Sequence, residues 1–386
     1  MVFCRLALAL IVALSVISVQ ASAGPASTIR IGLVFGLTGP NAFLSQQALE
    51  GANLAVEEIN KQGGVLGRQI QVTAQDSQSV PVQTVNTIRR LVTQDNIKLI
   101  IGPSSSGEAL TVMPIIQELQ AVMIIPLSSS PVITTKMGKG GNPWVFRVQQ
   151  PDDANTRALA RAAITALGDK RLSTLAKNDD FGRVASEEFT KNVLPSGGVI
   201  LSSNFFSPGG GYDYSSTLTR LKQENPQGVV FFGTNEDFVP FMKQYAEQGL
   251  KAHIYTRSVV LSEDLFKALG TLVNGVTAVE TYFPEIPTAE NRDFVARYMA
   301  RWKRSPATYS YTSYVAVAML ASAIRAAGTD APASVRESLT KVRYKSITGT
   351  FAFNQYNQAL VNVYVGRVDC SSGPCHVNVV SSLAPQ

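Results

Sequence analysis

Short apolar runs alternate along this chain with longer stretches in which apolar residues return every three or four positions. TIRIGLVFG (28–36) reads as a buried strand, and SQQALEGANLAVEEINKQGG (45–64) as a helix. In that helix Leu49, Ala52, Val56 and Ile59 share one face, and Gly63-Gly64 ends it. RQIQVTAQ (68–75), KLIIGP (98–103) and VMIIPL (122–127) predict further strands, with helices over 82–93 and 108–119 between them. The rhythm then restarts with strands RLSTLAK (171–177), VILSSNFF (199–206), GVVFFG (228–233) and AHIYT (252–256), and helices over 182–193, 214–224 and 237–248. Strands that are apolar throughout, separated by helices, imply parallel sheets covered on both faces. Two such series imply two α/β lobes. After VNGVTAVETYF (273–283) the alternation stops: helices are expected over 291–303 and 314–328, a short one over 332–342, then a β-hairpin turning at Asn354–Gln358.

The first 23 residues carry one charge, Arg5, then the apolar run Leu6–Val19 and the small-residue motif Ala21-Ser22-Ala23. This reads as a secretory signal. It is shorter than the ~20 apolar residues that span a bilayer, and no later stretch is long and apolar enough to do so. The mature chain is therefore expected to begin near Gly24 and to be exported. Its length exceeds what one hydrophobic core usually supports, in keeping with two lobes. The formal net charge of +6, of which Arg5 supplies one, comes from interspersed charges. That pattern is a solvated surface and not a nucleic-acid footprint. Beyond the signal only Cys370 and Cys375 remain, flanking Ser-Ser-Gly-Pro. In an exported chain they read as a disulfide-closed turn; a metal pair with His376 would need ligands from elsewhere.

Candidate chemistry gathers where strands hand over to helices, the end of an open α/β sheet at which ligands bind. Two such turns are rich in serine: Ser104–Ser106 and Ser128–Ser130. GPSSSGEA lacks the lysine of a phosphate-binding loop, because Glu108 follows its second glycine. It is one residue off the spacing of a serine nucleophile, and the two histidines, His253 and His376, are not placed by pattern as a base. No metal motif and no cofactor motif occurs, so neither catalysis nor a cofactor is expected. What remains is a hydroxyl and amide cradle for a small acid.

IRIGLVFGLTGP, EGANLAVEEINKQGGVLGRQIQV, IIGPSSS, IIPLSSSP, DDFGR, DYSSTLTRLKQENPQGVVFFG, YAEQGL and TYFPE, in that order, resemble the periplasmic leucine/isoleucine/valine-binding proteins. These are type I substrate-binding proteins of ABC importers. The resemblance spans about Thr28 to Val365. It implies two Rossmann-like lobes with parallel sheets joined by three crossings, ligand in the cleft, and closure by hinge bending. The lobes are expected at 28–148 with 281–362, and at 149–280 with 363–386.

By the same resemblance Ser106 and Ser129 hold the ligand carboxylate, with Ser128 beside them, and the Leu127 carbonyl accepts from a ligand amine. From the opposite lobe the matching positions are Phe181, where relatives carry tyrosine, Asn235, and Ser258 with Arg257 beside it, where relatives carry an acid. Without that acid an α-ammonium lacks its counter-charge, and an unpaired buried ion costs several kcal/mol. The pattern therefore favours a carboxylic acid with an apolar tail, aromatic or 2-keto, against Phe181, Tyr309 and Phe43. Asp152 and Asp153, near a crossing, read as solvated hinge residues that could alternatively replace the missing anion. The expected protein is a monomeric, periplasmic, non-enzymatic carrier that delivers its ligand to an inner-membrane ABC permease. A branched-chain amino-acid carrier and a ligand-sensing module of the same fold are the alternatives.

Overall fold

The computed structural model describes residues 28–207, 209 and 211–384; the signal expected over 1–23 lies outside them. The first sheet is built from β1 (Ile29–Phe35), β2 (Ile70–Asp76), β3 (Leu99–Ile101), β4 (Val122–Ile125) and β5 (Val145–Arg147). Its order is β2-β1-β3-β4-β5 and every pairing is parallel. The residues of β3 and β4 are all buried, because helices cover both faces: α1 (Ala42–Lys61), α2 (Pro81–Thr93), α3 (Ser106–Leu119) and the short α4 (Pro131–Lys136).

The second sheet runs β14-β13-β10-β9-β8-β6-β7. Its parallel part is β6 (Arg171–Lys177), β7 (Val199–Phe206), β8 (Gly228–Phe232), β9 (His253–Arg257) and β10 (Thr277–Glu280). Around it lie α5 (Asp152–Ala160), α6 (Asp180–Val193), α7 (Ser215–Glu224), α8 (Asn235–Glu247) and α9 (Glu263–Leu269). β13 (Val363–Asp369) and β14 (His376–Leu383) extend it antiparallel, and the turn between them is closed by the Cys370–Cys375 disulfide. Phe206, Tyr214, Phe231, Phe238 and Phe241 interlock in this lobe, with ring centroids 4.9–5.9 Å apart. Such ring contacts add ~0.5–1.5 kcal/mol each beyond area burial.

The chain passes between the sheets after β5, after β10, and a third time before β13. The segment after β10 supplies α10 (Ala289–Trp302), α11 (Thr308–Ala327) and α12 (Pro332–Leu339), then a hairpin of β11 (Arg343–Ser346) and β12 (Gly349–Ala352). The reversal at Asn354–Gln358 is present, held by Asn354 N–H to the Gln358 carbonyl at 3.0 Å, but the strands on its two sides do not pair with each other: β12 pairs with β11, and β13 with β10 and β14. Isolated turn chemistry marks a reversal without fixing which flanking residues pair.

α11 lies against α1 so closely that a Cβ on Gly51 would stand 1.8 Å from the Ser310 carbonyl oxygen. The contact sets the position of the start of α11, where Thr308 and Tyr309 project into the seam between the lobes. In an open helix Gly→Ala gains about 1 kcal/mol. Here Gly51→Ala is expected to lower stability by about 1–3 kcal/mol through overpacking. Urea denaturation checks this, and a stabilised variant would show that the two helices part freely.

Candidate functional site

The carboxyl ends of β1, β3 and β4 face those of β6, β8 and β9 across a seam. The three hydroxyls after β3 do three different things. Ser104 holds α1, accepting from the Gly36 amide at 2.9 Å and sharing a 2.7 Å hydrogen bond with Ser45. Ser105 caps α3: its hydroxyl donates to Glu108 Oε2 at 2.8 Å and its amide to the same oxygen at 2.9 Å. Glu108, fully buried, also accepts from Ser77 at 2.5 Å and Thr84 at 2.9 Å, so it is a structural cap of the turn. Ser106 accepts from the Ser130 amide at 3.3 Å and faces the cleft.

The turn after β4 is braced from behind by Arg147. Its fully buried guanidinium donates to the Ser130 carbonyl at 2.7 Å, the Ser128 carbonyl at 3.4 Å and the Gln358 side chain at 2.6 Å. Burial lowers its pKa to about 10, so it remains charged at neutral pH. No carboxylate lies within ion-pair distance of it among the described residues. The hydroxyls of Ser128 and Ser130 are buried without a hydrogen-bond partner among the described residues. In a native site such orphans mark a place where a ligand or water belongs.

Six of the nine proposed ligand residues line one cleft cavity of about 40 Å³: Ser106, Leu127, Ser128, Ser129, Phe181 and Tyr309. The other three do not. The Asn235 amide donates to the Val260 carbonyl at 2.9 Å and Ser262 Oγ at 3.2 Å, which fastens α8 to the following loop. Ser258 pairs its hydroxyl with Thr308 at 2.9 Å. Arg257 is buried under the cleft floor. Phe43 also lies outside this cavity. The cleft does contain a pair that the sequence reading passed over, Lys177 and Asp179 at 3.5 Å. Lys177 ends the apolar strand β6 and is 4% exposed, and a charge at that strand end was the available signal.

Arg257 is the centre of a sealed network. One nitrogen donates to Asp152 at 2.7 Å and to Ser129 Oγ at 2.9 Å; the other donates to Glu280. The Ser129 hydroxyl donates to Asp152 Oδ2 at 2.9 Å, and Gln149 donates to Glu280 at 3.0 Å. Phe181 covers the guanidinium, its ring centre 5.9 Å away. Asp152 is thus no solvated hinge residue: it is fully buried, and desolvation lifts its pKa from 3.8 to about 6 against the pull of Arg257. His253 sits at the opposite end of β9, bonded to Asp169 at 2.7 Å, far along the strand from the serine turns. No histidine lines the cavity that Ser106 faces.

A periplasmic binding protein family model matches residues 28–374. The chain belongs to the periplasmic binding proteins. Within them it resembles the Leu/Ile/Val-binding protein BraC3 of Rhizobium johnstonii, 29% identical over 301 residues, covering 78% of this chain and 80% of that protein. Two solved structures share the fold. One is a solute-binding protein of an ABC transporter from Rhodopseudomonas palustris in complex with 3,4-dihydroxybenzoic acid (TM-score 0.84, 22% identity, 93% of this chain and 98% of that one). The other is the branched-chain amino acid substrate-binding protein LivJ of Streptococcus pneumoniae with isoleucine (TM-score 0.83, 21% identity, 93% and 100%). This periplasmic binding protein is accordingly a type I member of the branched-chain amino-acid family, with two α/β lobes, and its relatives are substrate-binding proteins of transporters. Among its described residues no helix is long and apolar enough to cross a membrane.

Removing one partner of a buried ion pair costs about 3–5 kcal/mol, and Arg257→Met strands both Asp152 and Glu280. The Asp152 pKa, already lifted by burial, then rises further without the cation that pulls it down, so the folded variant binds that proton more tightly than its unfolded chain. Stability contributed by such groups is full at low pH and is lost as pH rises through the folded pKa, here about 6 or above. The deficit of Arg257→Met relative to the parent should therefore be larger at pH 8 than at pH 5 in urea denaturation. An equal deficit at both would mean that the stranded charges are solvated.

Proposed function

We propose that this protein captures a small carboxylic acid lacking an α-ammonium group, aromatic or 2-keto, between its lobes and presents it to an ABC permease in the inner membrane. The observation that carries this reading is the Arg257 guanidinium, seated between Asp152 and Glu280. The buried carboxylates of the cleft floor, Asp152 and Glu280, are already met by the protein's own cation, so a ligand ammonium would enter beside Arg257 without a counter-ion. Arg147 behind the serine turn, with no carboxylate in contact, favours an anion instead.

In this reading Ser106 and Ser128 donate to the ligand carboxylate, and Lys177 supplies charge from the facing lobe. The single proton of Ser129 is directed at Asp152, which leaves that hydroxyl as a brace of the cleft floor. The Leu127 carbonyl is left to accept from a ligand hydroxyl, and Phe181 and Tyr309 offer ring faces to an apolar tail. The protein acts as a monomer in the periplasm, closes by bending at the three crossings, and performs no chemistry on its cargo. A branched-chain amino acid is the second reading, favoured by Asp179 in the cleft and by the BraC3 relative. Lys177 stands 3.5 Å from the same Asp179 oxygen and weakens that case.

Calorimetric titration of refolded, ligand-free protein should show benzoate, 4-hydroxybenzoate or phenylpyruvate binding more tightly than leucine or isoleucine. Micromolar leucine with the aromatic acids silent would overturn the proposal and point to Asp179 as the ammonium anchor.

Each of Ser106→Ala and Ser128→Ala should weaken the acid roughly 10- to 150-fold, the worth of a hydrogen bond to a charged group, about 1.5–3 kcal/mol. Ser129→Ala should chiefly lower the unfolding midpoint, because it removes a donor from Asp152 and an acceptor from Arg257. If both cleft variants bind as the parent does, the cradle lies elsewhere.

A further inference from the structure

A second cavity, of about 130 Å³, lies in the same seam on the other side of a thin wall. The wall is made of sequence neighbours facing opposite ways: Leu44, Val259 and Tyr309 look into the solute cleft, and Phe43, Ser258 and Thr308 into this chamber. The Ser258–Thr308 hydrogen bond crosses the wall from one lobe to the other. An apolar cavity of about 150 Å³ takes up benzene, so this chamber has room for a body about the size of one small ring.

Its chemistry is opposite to that of the cleft. Phe43, Phe266 and Phe283 form apolar walls, and Glu263, Asp264 and Glu285 supply three carboxyl groups. Glu263 accepts only a long bond, 3.4 Å, from the Ser305 amide, and Asp264 lies exposed at the rim, 4.0 Å from Lys267. The cation in the lining, Arg304, feels Asp264 but is paired with Glu50 at 2.6 and 3.0 Å. Glu285 is the deep group: Oε1 accepts from the Val377 amide at 3.4 Å, while Oε2 is buried without a hydrogen-bond partner among the described residues. Burial lifts its pKa to about 6, which leaves it mostly ionised at neutral pH. A buried carboxylate oxygen without a donor is a costly arrangement that an ammonium group relieves.

We propose that this chamber is a second ligand site, for a small organic ammonium ion with an aromatic or apolar body, and that its occupant favours closure of the lobes on the solute. The ammonium donates to Glu285 and the body packs on the three phenylalanine rings, whose faces also attract a cation. Both lobes contribute walls, Phe43 and Thr308 from one and Ser258 and Phe266 from the other, so a molecule that touches all of them binds best when the lobes are together. Linkage then requires the solute and the amine to raise each other's affinity by the same factor.

The test is calorimetric titration of 2-phenylethylamine into refolded protein, alone and with the cleft saturated by whichever of benzoate or leucine it binds. 2-Phenylethanol is the uncharged control. The amine should bind, the alcohol should bind at least tenfold more weakly, and solute in the cleft should tighten the amine. Glu285→Gln, which keeps an acceptor for the Val377 amide, should weaken the amine at least tenfold and leave the solute's own affinity unchanged. Phe266→Ala, on the opposite wall, should weaken it too, with circular dichroism confirming that both variants fold. Ser106→Ala should leave the amine untouched, which separates failure of the cleft assignment from failure of this one. No heat with the amine, equal binding of the alcohol, full affinity in Glu285→Gln, or indifference to cleft solute would each overturn the proposal.

Discussion

Arg257 leaves the end of a buried strand and reaches carboxylates on two different crossings of the chain, Asp152 after β5 and Glu280 at the end of β10, as well as Ser129 in the opposite lobe. Charges sealed from water in this way are expensive, and their mutual attraction offsets the desolvation only when geometry and hydrogen bonding are complete. Here Ser129, Gln149 and Thr281 supply most of them, Thr281 donating both its amide and its hydroxyl to Glu280 at 3.0 and 2.9 Å, while Arg257 Nε stays buried without a partner among the described residues. The arrangement fixes which side chains remain free to meet a ligand. It also ties two of the crossings between the lobes to the floor of the cleft.

Hydrogen atoms, more than oxygen atoms, decide what the serine turns can do. Each hydroxyl has one proton to give. Ser105 gives its proton to the Glu108 cap and Ser129 to Asp152, while the Ser128 hydroxyl has no partner among the described residues. Two turns that look alike as strings of serine are therefore unlike as donors. Arg147 adds to the difference, since its charge lies directly behind the second turn and has no carboxylate within ion-pair distance among the described residues.

Much of this was legible in the chain. Alternating apolar strands and helices announced two α/β lobes, and the serine-glutamate spacing of Ser105 and Glu108 is a capping-box pattern that the fold realises. The cysteine turn closed as its spacing and the export signal suggested. What stayed hidden depends on distant partners. Arg257 lies 105 residues from Asp152, and no local pattern reports that pairing. The same holds for α4 and for β14, whose hydrophobic alternation is weak because it is an edge strand with one exposed face. Lys177 was readable, as a charge ending an apolar strand, but the family positions drew attention to Phe181 and Asn235 instead.

Neither lobe is a continuous piece of chain. The first waits for α11 to pack on α1, and the second waits for β13 and β14 to finish its sheet beside β10. Contacts this far apart in sequence form slowly, because a long loop must close before they reward it. A ribosome or an export channel delivering the chain from its N-terminus would release an almost complete polypeptide in which both cores still lack a wall. The topology itself therefore delays completion of either core until nearly all of the chain has been made.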